Sequence, residues 1–326
     1  MEILVTGGAG YIGSIVVEQL IEQGHRVVVV DNVQEGHREA VSPEAVFYEG
    51  NFGDSGLLEE IFGKHAIEAV FHFAAETTIE FSMTDPGKYF TNNVVRGIAL
   101  LDAMRKHGCD RFVFSSTAAT FGEPQYTPID EAHPQEPINA YGESKLMFEH
   151  VLDWYHRAYG LRFNAFRYFN AAGATERLGE AHRHESHIIP IVVQVALGQR
   201  DSMQVFGTDY PTKDGTCVRD YVHVKDLAQA HILALKNMEK HPDGKYNLGN
   251  GEGFTVLEVI GQVARVSGRE IDWRKAPRRA GDPAVLIASS EHAKAELGWR
   301  PRYASLEEIV QSAWAWHRRH PEGYGG

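Results

Sequence analysis

Cysteine is scarce in this chain, with Cys109 and Cys217 the only two in 326 residues. Two distant thiols make neither a disulfide framework nor a thiolate metal site, which excludes the small stapled folds of oxidising compartments. No apolar run approaches the ~18 residues of a membrane-spanning helix. Nor is there a basic segment followed by an apolar one, because the first apolar stretch is needed as a strand. These absences lead us to expect a cytoplasmic protein without a membrane partner. Positive charge is also short: 32 Lys and Arg stand against 44 Asp and Glu, a net charge of -12. That deficit argues against nucleic acid as a partner. Repeats and low-complexity tails are missing as well. What remains is an ordinary balance, 43% hydrophobic and 23% charged. The chain is long enough for a nucleotide-sized domain and a smaller second one.

The first thirty residues carry the first positive signal. Glu2 to Thr6 reads as a short buried strand, Gly7-Gly8-Ala9-Gly10-Tyr11-Ile12-Gly13 follows, and a helix is expected from Tyr11 to Gln23. Strand, glycine turn and helix in that order make a dinucleotide site: glycines let the backbone approach a pyrophosphate, which sits at the helix N-terminus. A second strand, Arg26 to Val30, ends at Asp31. A carboxylate there accepts from a ribose 2′-hydroxyl and repels a 2′-phosphate, so NAD is expected over NADP.

The second signal is Tyr141-Gly142-Glu143-Ser144-Lys145, which sets a phenol and an ammonium one helical turn apart. A free phenol titrates near ~10, and a neighbouring cation lowers that value toward a usable base. Such pairs also occur on solvated faces. Here Asn139 offers an N-cap and the face continues through Phe148, Leu152, Tyr155 and Tyr159, spacings that predict a core-facing stripe with Lys145 inward. An inward lysine is costly unless it is paired or working.

Further strands are expected at Val46–Glu49, Ala69–Phe73, Arg111–Ser115 and Arg162–Tyr168, with helices at Ser55–Lys64, Pro86–His107 and Ala140–Tyr159. The alternation predicts an α/β fold with a doubly wound parallel sheet of Rossmann type. From about Ala171 the pattern turns irregular, with loops at Ala174–Glu185 and Gly207–Thr216 and helices at Ile188–Leu197, Lys225–Asn237, Thr255–Ser267 and Leu306–His317. We therefore expect a nucleotide-binding domain over 1–172, rejoined by part of 217–245, and a smaller mixed α/β domain over 173–326. Met83, Met104 and Met147 read as helix packing. His182, His184 and His187 have a spacing that suits no finger or helical metal pattern, so no metal is expected.

The glycine run, the Thr117 region, Tyr141 with Lys145, Arg167 to Asn170, Val218 to His223 and Pro277 to Asp282 together resemble the extended short-chain dehydrogenase/reductase family, and within it the UDP-sugar 4-epimerases. The resemblance implies Tyr141 as base, Lys145 on the nicotinamide ribose and Thr117 on the sugar hydroxyl. It implies cofactor contacts from Gly7, Gly10, Tyr11, Ile12, Gly13, Asp31, Asn32, Asn51, Phe52, Phe73, Ala74, Ala75, Asn92, Ser115 and Tyr168. Substrate contacts would come from Asn170, His187, Ile188, Phe206, Arg219, Arg279 and Asp282. Asn51 stands where the family usually has an aspartate toward adenine, and Thr117 where many members have serine. A homodimer packed through helices 86–107 and 140–159 is also implied.

For an arginine alone, a surface ion pair is the default, with Asp220 or Asp226 open to Arg219; beside the other motifs, the diphosphate role is preferred for Arg219 and Arg279. The implied chemistry is reversible C4 epimerisation of UDP-glucose and UDP-galactose through a 4-keto sugar and enzyme-bound NADH. Dehydratases and decarboxylases of the family carry acids after the threonine; here Ala118 and Ala119 follow it, and two methyl groups supply no acid or base. A net oxidoreductase, a cofactor-loaded regulator, and an epimerase of N-acetylated or glucuronate UDP-sugars remain as alternatives. Leu286, at the family's sugar gate, leaves the last of these open.

Overall fold

The chain's structure is a computed structural model that describes residues 1–279 and 281–325; Ala280 of the Pro277–Asp282 motif lies outside them. Strands β1 (Glu2–Thr6), β2 (Arg26–Asp31), β3 (Val46–Glu49), β4 (Ala69–His72), β5 (Arg111–Ser115) and β6 (Arg162–Tyr168) pair in parallel in the order β6-β5-β4-β1-β2-β3. Near-continuous apolar runs such as Val27–Val30 suit this arrangement, because a parallel sheet is covered on both faces. Alternation then divides the residues. Ile3, Val5, Val27 and Val29 join the helix Val224–Asn237 on one face. Leu4, Val28 and Val30 join Phe112, Phe114 and Phe148 on the other. Strand order reverses between β1 and β4, the point where open α/β sheets bind ligands at the carboxyl ends of their strands.

A third core gathers Val192 and Val193, Val259 and Val263, and Ile309 and Val310 from helices Ile188–Ala196, Val256–Ser267 and Leu306–Arg319. Small sheets flank it: Met203–Phe206 pairs with Trp273–Ala276, and Val218–Arg219 lies between Phe254–Thr255 and Val285–Leu286. Strand Asn170–Ala172 pairs with Tyr221–His223.

Four expectations are corrected. A seventh parallel strand, Asp243–Leu248, extends the large sheet beside β6; its Asp-Gly-Lys start hides it from an apolar-run search. The helix expected over 86–107 is interrupted: Pro86–Phe90 and Arg96–Lys106 flank a π-helical turn, Thr91–Val95. The stripe on helix Ala140–Tyr159 is buried through Leu152, but Tyr159, the last residue of the helix, is exposed. Met104 is buried as expected, whereas Met83 and Met147 stand exposed.

Candidate active site

Helix α1 (Tyr11–Glu22) begins at the reversal point. Gly10 caps it without a side-chain bond, and no acid lies in its first turn. The turn is close-packed backbone: Gly7 has φ +74 and a Cβ there would lie 2.5 Å from the Ala74 amide nitrogen, while a Cβ on Gly13 would lie 2.2 Å from the Gly7 carbonyl oxygen. Only glycine fits either place. Asp31 braces this turn, its Oδ2 accepting from the Ala9 N–H at 3.0 Å and its Oδ1 from the Val33 N–H at 2.8 Å. Burial raises the Asp31 carboxyl, and those two N–H donors limit the rise. Each oxygen keeps a lone pair, as a ribose hydroxyl requires.

The other expected cofactor residues surround the turn. Phe73 and Ala74 donate their N–H groups to the Thr6 carbonyl at 2.9 and 3.1 Å, bringing them and the half-buried Ala75 beside Gly7. Phe52 is buried against the His72 ring, 4.8 Å between centroids, which leaves its backbone for a ligand. The Asn32 and Asn51 side chains each accept from a backbone N–H two residues on, Gln34 and Gly53. Half-buried Ile12 follows Tyr11, whose hydroxyl donates to the Gly173 carbonyl at 2.6 Å, tying the turn to the second half of the chain.

The Ser115 carbonyl, at the end of β5, accepts from Lys145 Nζ at 2.8 Å, and the Ser115 and Tyr168 hydroxyls bond to each other. Thr117 caps the short turn that follows, accepting from the Ala119 N–H at 3.1 Å. Helix Ala140–Tyr159, capped by Asn139, lies directly on this turn: a Cβ at Gly142 would sit 2.4 Å from the Ala119 carbonyl oxygen. A glycine between Tyr141 and Lys145 is thus what allows Tyr141 to meet Thr117.

The expected depression of the Tyr141 phenol by Lys145 is absent. Burial pushes the phenol up, and a hydrogen bond from the Thr117 side chain opposes that rise. Burial also brings the Lys145 ammonium down to about 7, with Glu149 opposing. Dehydration penalises phenolate and ammonium alike, so the phenol stays protonated and the ammonium loses its proton far more readily than a free lysine.

Several supporting residues escaped the sequence reading. Burial would raise Glu149, but the Arg167 guanidinium beside it holds it low; Arg167 bonds both its oxygens, at 3.0 and 2.6 Å, and Ser116 donates at 2.5 Å. Glu149 sits four residues beyond Lys145 on the same face, and that spacing was the available signal. In the π-helical turn, Asn92, one of the expected cofactor residues, accepts from Arg96 at 2.7 Å; its neighbour was not anticipated. Asn93 bonds both backbone groups of Glu76 and the Ser144 hydroxyl at 3.0 Å, joining the loop after β4 to helix Ala140–Tyr159.

In the second half of the chain, Asn170 donates its amide to the Asp220 carbonyl at 2.8 Å. Arg219 pairs with the Asp282 carboxylate, not with Asp220 or Asp226. Those two are engaged by backbone N–H groups, Asp220 from Asn250, Gly251 and Ala288, and Asp226 from Arg302 and Tyr303. The Arg279 guanidinium lies over the Phe206 ring, 4.1 Å from its centroid, so one face of that ring is taken. Leu286 pairs in register with Arg219.

His187 stands exposed just before Ile188, where helix Ile188–Ala196 begins. The loop gathers its Nδ1 with those of His182 and the carboxylates of Glu180 and Glu185, all four donors within 4.8 Å of one another. His184 is turned away to the Phe81 ring. Spacing among the histidines alone gave no sign of this cluster, because two of its four members are acids. The thiols of Cys109 and Cys217 are both raised, by burial first.

The sequence profile of the NAD dependent epimerase/dehydratase family matches residues 3–249. The UDP-glucose 4-epimerase of Lacticaseibacillus casei is 52% identical, the alignment covering 100% of this chain and 99% of that protein. A crystal structure of UDP-glucose 4-epimerase superposes with TM-score 0.97 at 50% identity, covering 100% of both chains. The Bifidobacterium longum enzyme, solved with NAD+ and UDP, is similar at TM-score 0.94 and 36% identity, covering 99% of this chain and 100% of its own. A matched profile over most of the chain, full-length kinship and the glycine turn set against Tyr141 and Thr117 lead to one conclusion: the chain belongs to the NAD dependent epimerase/dehydratase family.

Proposed function

We propose that this enzyme is an NAD-dependent isomerase that interconverts UDP-glucose and UDP-galactose by inverting C4. The observation that carries the reading is the Thr117, Tyr141 and Lys145 group at the end of β5, with Ala118 and Ala119 as its next neighbours. It can move a proton at a sugar hydroxyl, and no carboxylate follows Thr117 to eliminate water.

The residues present fit the cofactor: an uncapped helix start, two glycines whose Cβ atoms would strike backbone, and a carboxylate with lone pairs to spare. Gly7, Gly10 and Gly13 would admit the pyrophosphate to the start of α1, Asp31 would hold the adenosine ribose, and Lys145 the other ribose. When bound, NAD+ supplies a reversible two-electron oxidant for the sugar carbon and a positive charge near the phenol. Once the charge of the bound cofactor favours phenolate and the phenol proton has left to solvent, Tyr141 would accept the 4-hydroxyl proton and later return it, and Thr117 would bond that hydroxyl so that its proton points at the phenolate oxygen. A base that charges only while the ligands are bound avoids the cost of a buried phenolate in the resting chain. Arg219 and Arg279 take the diphosphate, with Asn170 and the free face of Phe206 beside them. The sugar is then held through its nucleotide, so it can turn its opposite face to the cofactor.

A homodimer belongs to the same reading. Val95, Met147, Trp154 and Tyr159 are all exposed on the 91–106 and 140–159 helical segments, the two elements expected to pack in the dimer, and exposed large apolar side chains there support that interface.

Incubation with UDP-glucose, UDP-galactose, UDP-N-acetylglucosamine and UDP-glucuronate, followed by separation of products, tests the function. The expected result is interconversion of the first two without an added electron acceptor. Failure to form a 4-epimer from any of the four sinks the reading, and preference for an N-acetyl sugar reassigns the substrate around Leu286.

A further inference from the structure

The loop between Gly179 and Ile188 contains a four-donor arrangement that the proton transfer at C4 does not use, although its last member, His187, is also one of the expected substrate contacts. His187 Nδ1 lies 2.9 Å from Glu180 Oε1 and 3.0 Å from Glu185 Oε1. His182 Nδ1 lies 3.2 Å from Glu180 Oε1 and 3.5 Å from Glu185 Oε2. Zinc binds imidazole nitrogen and carboxylate oxygen at roughly 2.0–2.2 Å, so neighbouring ligands of a tetrahedral ion sit about 3.3 Å apart. The four separations bracket that edge. His182 Nδ1 is moreover buried and makes no hydrogen bond, so a donor atom aimed into the cluster has no hydrogen-bonding use there.

We propose that Glu180, His182, Glu185 and His187 form a tetrahedral zinc site of the structural kind. Two imidazoles and two carboxylates suit zinc better than magnesium or calcium, which take six or more oxygens. Four protein ligands close the coordination sphere and leave no position for substrate. The supporting shell is present: the His187 N–H donates to Glu185 Oε1 at 2.8 Å and orients that carboxylate. The loop sets two buried carboxylates side by side against two imidazoles, and a divalent cation satisfies all four donors at once.

The site's place in the fold gives it a purpose. The His182 ring meets Tyr11 edge-on at 6.3 Å, and Tyr11 begins the helix beneath the glycine turn. His37 Nε2 holds the Ala181 carbonyl at 2.6 Å, and the Tyr324 hydroxyl bonds both backbone groups of Gly179 at 2.9 Å. The ion pins the far end of this loop, where helix Ile188–Ala196 starts. It therefore fixes the distance between the cofactor turn and the nucleotide-facing helix.

The test uses the full chain without a histidine tag and needs no substrate, so it stands apart from the epimerase assay. Elemental analysis is expected to find about one zinc per chain. After removal by chelator, zinc chloride alone should rebind at one site and raise the melting temperature. His182→Gln and Glu185→Gln, each checked for folding by circular dichroism, should each lower zinc affinity at least roughly tenfold. Wild-type protein that takes up no stoichiometric zinc overturns the proposal. So does undiminished zinc in both folded variants, or tighter binding of magnesium or calcium at the same site.

Discussion

Replacing Lys145 with methionine should make the nucleotide-free protein gain stability at low pH while it loses activity. The side chain is 2% exposed and its ammonium falls from 10.5 to about 7. An unfolded chain keeps that proton to about pH 10.4 and the folded chain only to about 7, so between those values the unfolded state binds more protons and stability climbs with pH. Below 7 the penalty is complete. At ~1.4 kcal/mol per unit it amounts to roughly 5 kcal/mol, and about half of it is relieved between pH 6 and pH 9. Methionine keeps the length of the stem and removes the charge. It also strands the Ser115 carbonyl that Nζ now reaches at 2.8 Å, a loss of ~1–3 kcal/mol independent of pH. Denaturant unfolding of both proteins at pH 6 and pH 9 separates the terms, since other titrating groups are common to both. Wild type should gain about 2.5 kcal/mol more than the variant between the two pH values. Equal gains would refute the claim that burial sets the state of Lys145.

Tyr141→Phe should lose ~10²–10⁴-fold in turnover with an unchanged circular dichroism spectrum, because only the proton acceptor is removed. Gly13→Ala drives a methyl group to 2.2 Å from the Gly7 carbonyl oxygen and should abolish NAD binding in calorimetry; binding at wild-type strength would mean the turn is not where the cofactor sits. Arg279→Leu should raise KM for the UDP-sugar roughly tenfold or more, and Arg219→Leu should do the same while also unpairing Asp282; a fall in turnover at unchanged KM would place neither on the diphosphate. Trp154→Glu should convert a dimeric mass in light scattering to a monomeric one, and a wild-type monomer would remove the proposed interface.

How much of this was legible in the sequence depended on whether the signal was local. The β1 strand, glycine turn, α1 and Asp31 are consecutive, and each follows from backbone sterics or apolar periodicity that a short window contains. Helix Ala140–Tyr159 was equally plain from Asn139 and its stripe. Long-range partners were not. Nothing near Arg219 in the chain points to Asp282, and the nearer carboxylates Asp220 and Asp226 were already taken by backbone N–H groups. The direction of the Tyr141 shift failed for a related reason: spacing reveals a cation one turn away but not the dehydration that both residues undergo. The π-helical turn at Thr91–Val95 was hidden because it uses ordinary helix-forming residues and differs only by one extra residue in the turn.

The seventh strand has a consequence for how the protein is made. Strand β6 lies inside the finished sheet, with Phe163, Ala165 and Phe166 fully buried, yet its outer neighbour is not synthesised until Asp243–Leu248. While the ribosome adds the intervening residues, the nascent chain carries an open apolar edge, the kind of surface that pairs with other chains. A truncated domain ending near residue 172 would keep that edge permanently. The large sheet is therefore completed only after Asp243–Leu248 has been synthesised, so the two halves of the molecule must fold together.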